Sequence, residues 1–237
     1  MINDKNKVIA ITGTSGGIGL EIVKYYLSLG FKVAGCARSD SNFEHNDYLY
    51  ENVDIKEEKQ VRSWVQSIKK KYKRIDILVC NAGLVKSSLT MPVTSTNILQ
   101  DFMDVHIKGT FITCREVSKI MLQQRHGRII NISSINVPLL QEGTSAYSGT
   151  KAAIETMSKI FAKELAPIGI TCNVISPGLI DNEVTKTFSS EWKKKLIDKQ
   201  TIKSALKVDD LCYIINFLIG SKSNVITGQV INMGLVN

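Results

Sequence analysis

Apolar and polar positions along this chain follow two alternating patterns. Short, nearly continuous apolar runs of strand length occur at residues 7–12, 31–37, 50–54, 75–80, 127–132, 170–176 and 230–233. Between them, apolar residues repeat with helical spacing at 18–29, 56–72, 95–124, 145–166 and in a stretch whose N-cap is Asp209 or Asp210. Such alternation is typical of a parallel sheet that is covered by helices on both faces. The pattern predicts an α/β fold with one doubly wound parallel sheet, in which residues 135–144 form a loop.

The composition fits a globular protein of this kind. Of the 237 residues, 43% are hydrophobic and 22% are charged. No stretch reads as a linker or a repeat, so we expect one domain over residues 1–237 with a small helical insertion at about 179–205. No apolar run approaches the roughly 18 residues of a membrane span, and the N-terminus lacks the apolar block of a signal peptide. We expect a cytoplasmic protein with no membrane partner.

The cysteines do not predict a disulfide framework or a metal site. There are five, an odd number, and none forms a C-x-x-C pair. Most of them lie in apolar runs, which favours buried, reduced thiols over disulfides or metal ligands. The residues concerned are Cys36, Cys80, Cys114, Cys172 and Cys212.

The formal net charge of +8 suggests anionic partners. Phosphate groups, an acidic carrier protein and nucleic acid all fit that charge in principle. The two densest basic runs, 69–74 and 193–195, lie on amphipathic stretches without the interleaved glycine and aromatic residues of an RNA-binding motif. A solvated lysine-rich surface therefore explains most of the charge, and we expect no nucleic-acid partner.

A glycine-rich turn follows the first predicted strand and opens a helix. Glycines in that position let the backbone approach a pyrophosphate, whose charge meets the helix N-terminus. A purely structural turn is the alternative interpretation. The residues that would hold the phosphates are Gly13, Ser15, Gly16, Gly17, Ile18 and Gly19.

The end of the second predicted strand bears on the choice of dinucleotide. An acidic residue there accepts from the ribose 2′-hydroxyl of NAD, whereas an arginine pairs with the 2′-phosphate of NADP. Ala37 stands at this position, and Arg38 and Ser39 follow. This favours NADP(H) over NAD(H), although Arg38 as an ordinary surface residue remains open.

A tyrosine and a lysine one helical turn apart are the leading candidates for acid–base chemistry. Tyr147 and Lys151 lie near the start of the helix at 145–166, so their side chains share one face. A phenol with a pKa of about 10 transfers protons poorly at neutral pH until a fixed cation stabilises its anion. Such pairs also arise by chance, so the interpretation depends on the other motifs.

Taken in order, the motifs resemble those of the short-chain dehydrogenase/reductase family. The matching features are the glycine turn, Asp54, Asn81-Ala82-Gly83, Ser134, Tyr147-x-x-x-Lys151 and Pro177-Gly178. Each is weak alone, but six in order over nearly the whole chain are specific. The resemblance implies a Rossmann-type fold and an NAD(P)-dependent oxidoreductase that transfers hydride between a nicotinamide and a carbonyl or alcohol substrate.

The resemblance also implies roles for particular residues. Ser134 would hold the substrate's carbonyl oxygen, and Tyr147 would give that oxygen a proton or take one from it. Lys151 would lower the pKa of Tyr147 and bind the nicotinamide ribose. Besides the glycine turn, Arg38 and Ser39, the implied cofactor contacts are Asp54, Ile55, Asn81, Ala82, Gly83, Tyr147, Lys151, Pro177, Gly178 and Ile180.

Within the family, the chain is most similar to the β-ketoacyl-acyl-carrier-protein reductases. A 3-oxoacyl thioester on an acidic carrier protein is therefore one candidate substrate, while small 3-oxo acids, sugars and steroids stay open. Family members commonly pair their two long helices, here 95–124 and 145–166, so we expect a homotetramer or dimer.

Two residues depart from the family pattern. His106 stands where the family usually carries an asparagine that helps to hold a water next to the catalytic lysine. A histidine could keep a proton relay or could simply pack in the helix, and both interpretations stay open. Asn182 replaces a threonine that touches the nicotinamide amide in many relatives. The His106 change also leaves a second function class open, a non-catalytic NADP(H)-sensing regulatory or binding protein.

Overall fold

Seven parallel strands form one sheet at the centre of the computed structural model. The structure describes residues 6–85, 89–187 and 189–236, so residues 1–5, considered above for a signal peptide, and Phe188 in the insertion lie outside it. The sheet order is β3-β2-β1-β4-β5-β6-β7. The strands are β1 (Val8–Thr12), β2 (Lys32–Ala37), β3 (Tyr48–Asn52), β4 (Ile77–Cys80), β5 (Gly127–Ile132), β6 (Ile170–Pro177) and β7 (Val230–Met233). The predicted doubly wound parallel sheet is confirmed.

Helices cover both faces of this sheet. They are α1 (Gly17–Ser28), α2 (Glu58–Tyr72), α3 (Thr96–Phe102), α4 (Thr110–Gln124), α5 (Asn136–Leu139), α6 (Ser145–Leu165), α7 (Glu183–Lys186), α8 (Ser190–Lys199) and α9 (Val208–Ile219). Helices α1 and α9 pack on one face, and α2, α4 and α6 pack on the other. Because both faces are covered, every residue of β1, β4, β5 and β6 is buried.

The third strand begins and ends two residues earlier than predicted. It pairs with β2 from Val33 opposite Tyr48 to Ala37 opposite Asn52. The hydroxyl of Tyr48 donates to Thr14 Oγ1 over 2.9 Å, which ties the start of β3 to the turn after β1. Asp54 therefore lies beyond the strand, in the connection to α2.

The helix predicted at 95–124 is not continuous. A π-helical segment, Met103–Gly109, separates α3 from α4. Single π-turns inside α-helices often occur at functional sites, because they redirect one side chain. Here the segment carries His106, which is fully buried.

Two smaller predictions are corrected by the structure. The loop predicted at 135–144 contains the short helix α5. Helix α9 is capped by Lys207 and not by Asp209 or Asp210, and the backbone N–H of Lys207 donates to Asp210 Oδ2 over 2.8 Å. Asp210 thus stabilises the first turn from inside the helix.

All five cysteines are buried, as predicted, and they are free thiols. In the part of the chain that the structure describes, no helix has the length and apolar character needed to span a bilayer.

Candidate active site

A crevice opens at the carboxyl ends of the strands, where the sheet order reverses between β1 and β4. Ligands of open α/β sheets bind at such a reversal. The cavity measures about 1430 Å³, above the roughly 300–1,000 Å³ that suits one small molecule. It is lined by all the residues that the sequence predicts for catalysis and cofactor binding: Gly13, Ser15, Gly16, Gly17, Ile18, Gly19, Arg38, Ser39, Asp54, Ile55, Asn81, Ala82, Gly83, Ser134, Tyr147, Lys151, Pro177, Gly178 and Ile180.

The glycine turn forms a tight cradle at one end of the crevice. Gly13 has a φ of +77°, and a Cβ added there would lie 2.8 Å from the Cα of Ala82. At Gly19 a Cβ would lie 2.0 Å from the carbonyl oxygen of Gly13. Helix α1 begins at this turn without a side-chain cap, so its first N–H groups stay available to an anion. The cradle fits the pyrophosphate of a dinucleotide.

Hydrogen bonds from the end of β4 and from the start of β3 hold the glycine turn in place. Asn81 donates its side-chain amide to the carbonyl oxygen of Thr12 over 3.0 Å, and the hydroxyl of Thr12 accepts from the N–H of Ala82 over 3.0 Å. The Tyr48 hydroxyl supports Thr14 from the start of β3. These bonds fix the cradle to β4 and β3, so the backbone that would meet the phosphates is preorganised.

Arg38 lies at the rim of the crevice beyond the end of β2. Its side chain is exposed and forms no hydrogen bond or ion pair with a described residue. The next residue, Ser39, is held through its carbonyl oxygen by the Tyr50 hydroxyl. The guanidinium is therefore available to an anionic group that enters from solvent.

Ser134, Tyr147 and Lys151 come together at the deep end of the crevice. Ser134 follows β5, and its hydroxyl oxygen accepts the backbone N–H of Asn136 over 3.2 Å. Lys151 lies one turn after Tyr147 on α6, with its Nζ 5.8 Å from the centre of the tyrosine ring. The same Nζ donates to the carbonyl oxygen of Ile132 over 2.8 Å.

The electrostatics of this trio differ from the sequence expectation. Burial raises the pKa of Tyr147 above its ordinary value, and the hydrogen bond with Ser134 opposes that rise. Burial also lowers the pKa of Lys151 to about 8, which nearby Cys80 and Glu155 partly offset. Burial thus disfavours the charged form of the lysine, and its ammonium faces the Ile132 carbonyl. The structure therefore does not show the expected lowering of the Tyr147 pKa.

His106 joins two parts of the site that are distant in sequence. Its Nε2 accepts the backbone N–H of Leu84 over 2.9 Å, so in the neutral ring the proton is on Nδ1. Nδ1–H then donates to the hydroxyl of Thr150 over 2.9 Å, and that hydroxyl donates to the carbonyl oxygen of Tyr147 over 2.8 Å. The imidazole also stacks on Phe102, with ring centres 5.4 Å apart.

These bonds favour packing over a proton relay as the role of His106. Both ring nitrogens are engaged by protein groups, so neither is left to hold a water of a proton relay. Burial, together with the charge of Lys151, lowers the pKa of His106 to about 3. The imidazole is neutral at physiological pH and acts as a structural link between the loop after β4 and the helix that carries Tyr147.

The insertion after β6 is anchored at its base. Gln200 is 1% exposed, and its side-chain oxygen accepts the N–H of Leu179 over 2.8 Å. Its side-chain nitrogen donates to the carbonyl oxygens of Ile202 and Ser204. Asn182 is used within the insertion, since its Oδ1 accepts the N–H of Thr185 and its Nδ2 donates to the carbonyl oxygen of Ile180.

Sequence reasoning missed several residues that line or support the crevice. Trp192 and Leu196 of α8 form part of its wall, and with Ile135 and Leu179 they belong to a separate apolar cluster. Leu84 and Thr150 were not identified as partners of His106, and Gln200 was not identified as an anchor. The helical spacing of Trp192 and Leu196 was the one available signal for this wall, and it does not say which face meets the crevice.

Comparison with known proteins agrees with this geometry. The family model described as short chain dehydrogenase matches residues 7–193. A 3-oxoacyl-(acyl-carrier-protein) reductase of Rickettsia typhi is 31% identical over 242 residues, covering 98% of this chain and 97% of the relative. The reductase of the same name from Escherichia coli K12 is 28% identical over 238 residues, with the same coverage.

Among solved structures, ElxO with NADP bound is similar with a TM-score of 0.88 and 27% identity, covering 96% of this chain and 97% of that one. The 3-ketoacyl-(acyl-carrier-protein) reductase from Brucella melitensis, complexed with NADH, shares the fold with a TM-score of 0.88 at 24% identity, covering 95% of this chain and 96% of that one. As its motifs predicted, the chain belongs to the short-chain dehydrogenase/reductase family and is an NAD(P)-dependent oxidoreductase.

Proposed function

We propose that this protein reduces 3-oxoacyl thioesters with NADPH and that Tyr147 is the general acid. The observation that carries the proposal is the convergence of Ser134, Tyr147 and Lys151 at the end of a crevice that begins at a phosphate cradle. The names of the Rickettsia typhi and Escherichia coli relatives support the substrate class.

Ser134 and Tyr147 would share the work at the substrate oxygen. The Ser134 oxygen accepts the N–H of Asn136, and its O–H, which hydrogen-bonds Tyr147 in this structure, would donate to the carbonyl oxygen when a substrate is bound. Tyr147 would give that same oxygen a proton as the alcohol forms, and a positioned general acid typically contributes a factor of about 10²–10⁴ in rate. A bound NADPH supplies hydride to the carbonyl carbon.

Lys151 would hold the deprotonated state of Tyr147 after the proton has moved. Its pKa of about 8 keeps most of the side chains charged at neutral pH despite burial. The anion that forms on the tyrosine favours this charged form, and the ammonium in turn favours the anion. The bond from Lys151 to the Ile132 carbonyl holds the ammonium close to the end of β5.

NADP(H) is proposed over NAD(H) because of Arg38. No acidic side chain stands at Ala37 to accept from a ribose 2′-hydroxyl, and the adjacent guanidinium is exposed at the crevice rim. An arginine pairs with a phosphate through two parallel hydrogen bonds, which a ribose hydroxyl cannot form. The solved structure of ElxO with NADP bound is consistent with this choice.

The remaining part of the crevice suits an acyl chain. Its walls include Ile135, Leu179, Trp192 and Leu196. Leu89 and Gly143 also line the crevice, and the N–H of Leu89 donates to the carbonyl oxygen of Gly143 over 3.2 Å. A net charge of +8 favours an acidic carrier protein as the partner that delivers the chain.

The test measures NADPH consumption with 3-oxoacyl thioesters and with a panel of simple ketones and sugars. We expect turnover of the thioesters, a preference for NADPH over NADH, and no turnover by a Lys151→Ala variant. Binding of NADPH without turnover of any carbonyl compound would favour the alternative, a non-catalytic NADP(H) sensor. The one feature that suggested a sensor was the histidine at position 106. Its contacts with Leu84 and Thr150 support the helix that carries Tyr147, so we propose the enzyme over the sensor.

We also propose that the protein forms a homo-oligomer through α4 and α6. Phe111 on α4 is 41% exposed and Ile160 on α6 is 50% exposed. The Phe111 ring lies 5.9 Å from that of Phe161, which joins the two helices into one apolar surface. Light scattering at micromolar concentration is expected to give a dimer or tetramer, and a Phe111→Glu variant should shift it toward monomer.

A further inference from the structure

Asn136 places a side chain with no partner among the described residues on the wall of the crevice. It lies two residues after Ser134, at the start of α5, and lines the cavity. Its side-chain oxygen is buried, yet no described residue donates to it, and its side-chain nitrogen has no hydrogen-bond partner among them either. Buried polar groups are nearly always paired, so an unpaired carboxamide at a binding site points to a ligand.

The backbone of Asn136 is fixed, in contrast to its side chain. Its N–H donates to the hydroxyl oxygen of Ser134 over 3.2 Å, and its carbonyl oxygen accepts from the hydroxyl of Ser148 over 3.2 Å. Ser148 is adjacent to Tyr147 on α6. The backbone of Asn136 is therefore tied to Ser134 and, through Ser148, to the helix that carries Tyr147, so its side chain starts from a fixed point near both.

A carboxamide offers both a donor and an acceptor, and rotation of the group exchanges them. A simple ketone has a single oxygen, which would accept hydrogen bonds from Ser134 and Tyr147. A 3-oxoacyl thioester has a second carbonyl oxygen two carbons away from the reacting one. We propose that Asn136 is a specificity-determining residue. With its carboxamide rotated so that the nitrogen takes the place of the unpaired oxygen, it donates a side-chain N–H to this thioester carbonyl, and the site therefore prefers 1,3-dicarbonyl substrates over simple ketones. This rests on the proposed function.

The test compares kcat/KM of the wild type and of Asn136→Leu, which keeps the side-chain size and removes both polar groups. The substrates are the acetoacetyl thioester of N-acetylcysteamine and a methyl ketone of similar chain length. We expect kcat/KM for the thioester to fall by about tenfold to a hundredfold, as for one lost hydrogen bond to a buried group. For the ketone we expect kcat/KM to fall by less than about threefold. Asn136→Gln, which retains the carboxamide, should restore part of the thioester activity.

Val137→Ala is the matched control, because Val137 is the next residue but does not line the crevice. It should leave the ratio of the two activities unchanged. Equal losses on both substrates in Asn136→Leu, or no loss on the thioester, would overturn the role of Asn136 while leaving the proposed function intact. A wild type that turns over the ketone but not the thioester overturns the proposed function and this inference together.

Discussion

Replacing His106 with asparagine should make the stability of the protein less sensitive to acid. The pKa of His106 is about 3 in the folded protein and near 6.5 in an unfolded chain. Since the folded value is the lower one, the unfolded state binds more protons between these two values, and folding stability falls as the pH falls through this range. From pH 7.5 to pH 5.0, the linkage relation gives a loss of about 2 kcal/mol from this one residue.

Asparagine does not titrate, so the variant lacks this loss. The measurement is urea unfolding of the wild type, His106→Asn and His45→Asn at both pH values. His45→Asn, at an exposed position, is the control for a histidine-to-asparagine exchange, and it should lose as much stability between the two pH values as the wild type does. For each protein we compare the change in the free energy of unfolding between pH 7.5 and pH 5.0, so a variant that is less stable at pH 7.5 can still be compared with the wild type.

The result that refutes this reasoning is a parallel loss of stability in the wild type and in His106→Asn. It would mean that His106 is not held neutral between Leu84 and Thr150. The pH–rate profile of the same variant gives a second readout. Because both ring nitrogens are engaged by protein groups, we expect the profile to keep its shape, whereas a relay role requires its pKa values to move.

Three further predictions concern the catalytic group, the cofactor and the cradle. Tyr147→Phe should leave the Kd for NADPH within about twofold, measured by fluorescence titration, and lower kcat by a factor of about 10²–10⁴; near wild-type turnover would contradict the mechanism. Arg38→Ala should raise the KM for NADPH about tenfold or more and leave that for NADH nearly unchanged, because a lost charged hydrogen bond is worth roughly 1.5–3 kcal/mol. Gly35→Ala should lower the free energy of unfolding by about 1–3 kcal/mol, since its Cβ would lie 2.3 Å from the Tyr48 hydroxyl. Gly149→Ala, whose Cβ would meet nothing within 4 Å, is the control and should cost nothing in the same melt.

The crevice could be predicted from sequence because its parts depend on residue type at fixed spacing. The turn brings Gly13 so close to Ala82 that position 13 has no room for a side chain. The turn therefore requires glycine there, and that glycine marks the turn in the sequence. Helical geometry alone puts Tyr147 and Lys151 on one face. Such local constraints hold in any context, and they place these residues in the cavity without knowledge of the rest of the fold.

The position of β3 could not be predicted as closely, for a physical reason. Side chains alternate between the faces of a strand with a period of two, so a shift by two residues keeps the same residues on each face. Tyr48 and Tyr50 are therefore equivalent to any pattern of apolar positions. In the structure, Tyr48 and not Tyr50 donates a hydrogen bond to Thr14, a contact between positions that the sequence does not connect.

The pKa of Tyr147 could not be obtained from spacing either. The sequence places Lys151 one turn away, but it does not give the direction of the ammonium. In the structure the ammonium donates to the carbonyl of Ile132, and burial acts on both groups. Proximity along a helix is therefore a weak guide to electrostatic coupling when a backbone carbonyl competes for the same charge.

The role of His106 could not be predicted from sequence either. The sequence shows that position 106 departs from the family pattern, but a histidine there is equally compatible with proton transfer and with packing. The difference lies in the hydrogen-bond partners: Nε2 accepts the N–H of Leu84, and Nδ1–H donates to the hydroxyl oxygen of Thr150. Because that hydroxyl in turn donates a hydrogen bond to the carbonyl oxygen of Tyr147, we expect the histidine at this position to affect the placement of the helix that carries Tyr147 and not the path of a proton.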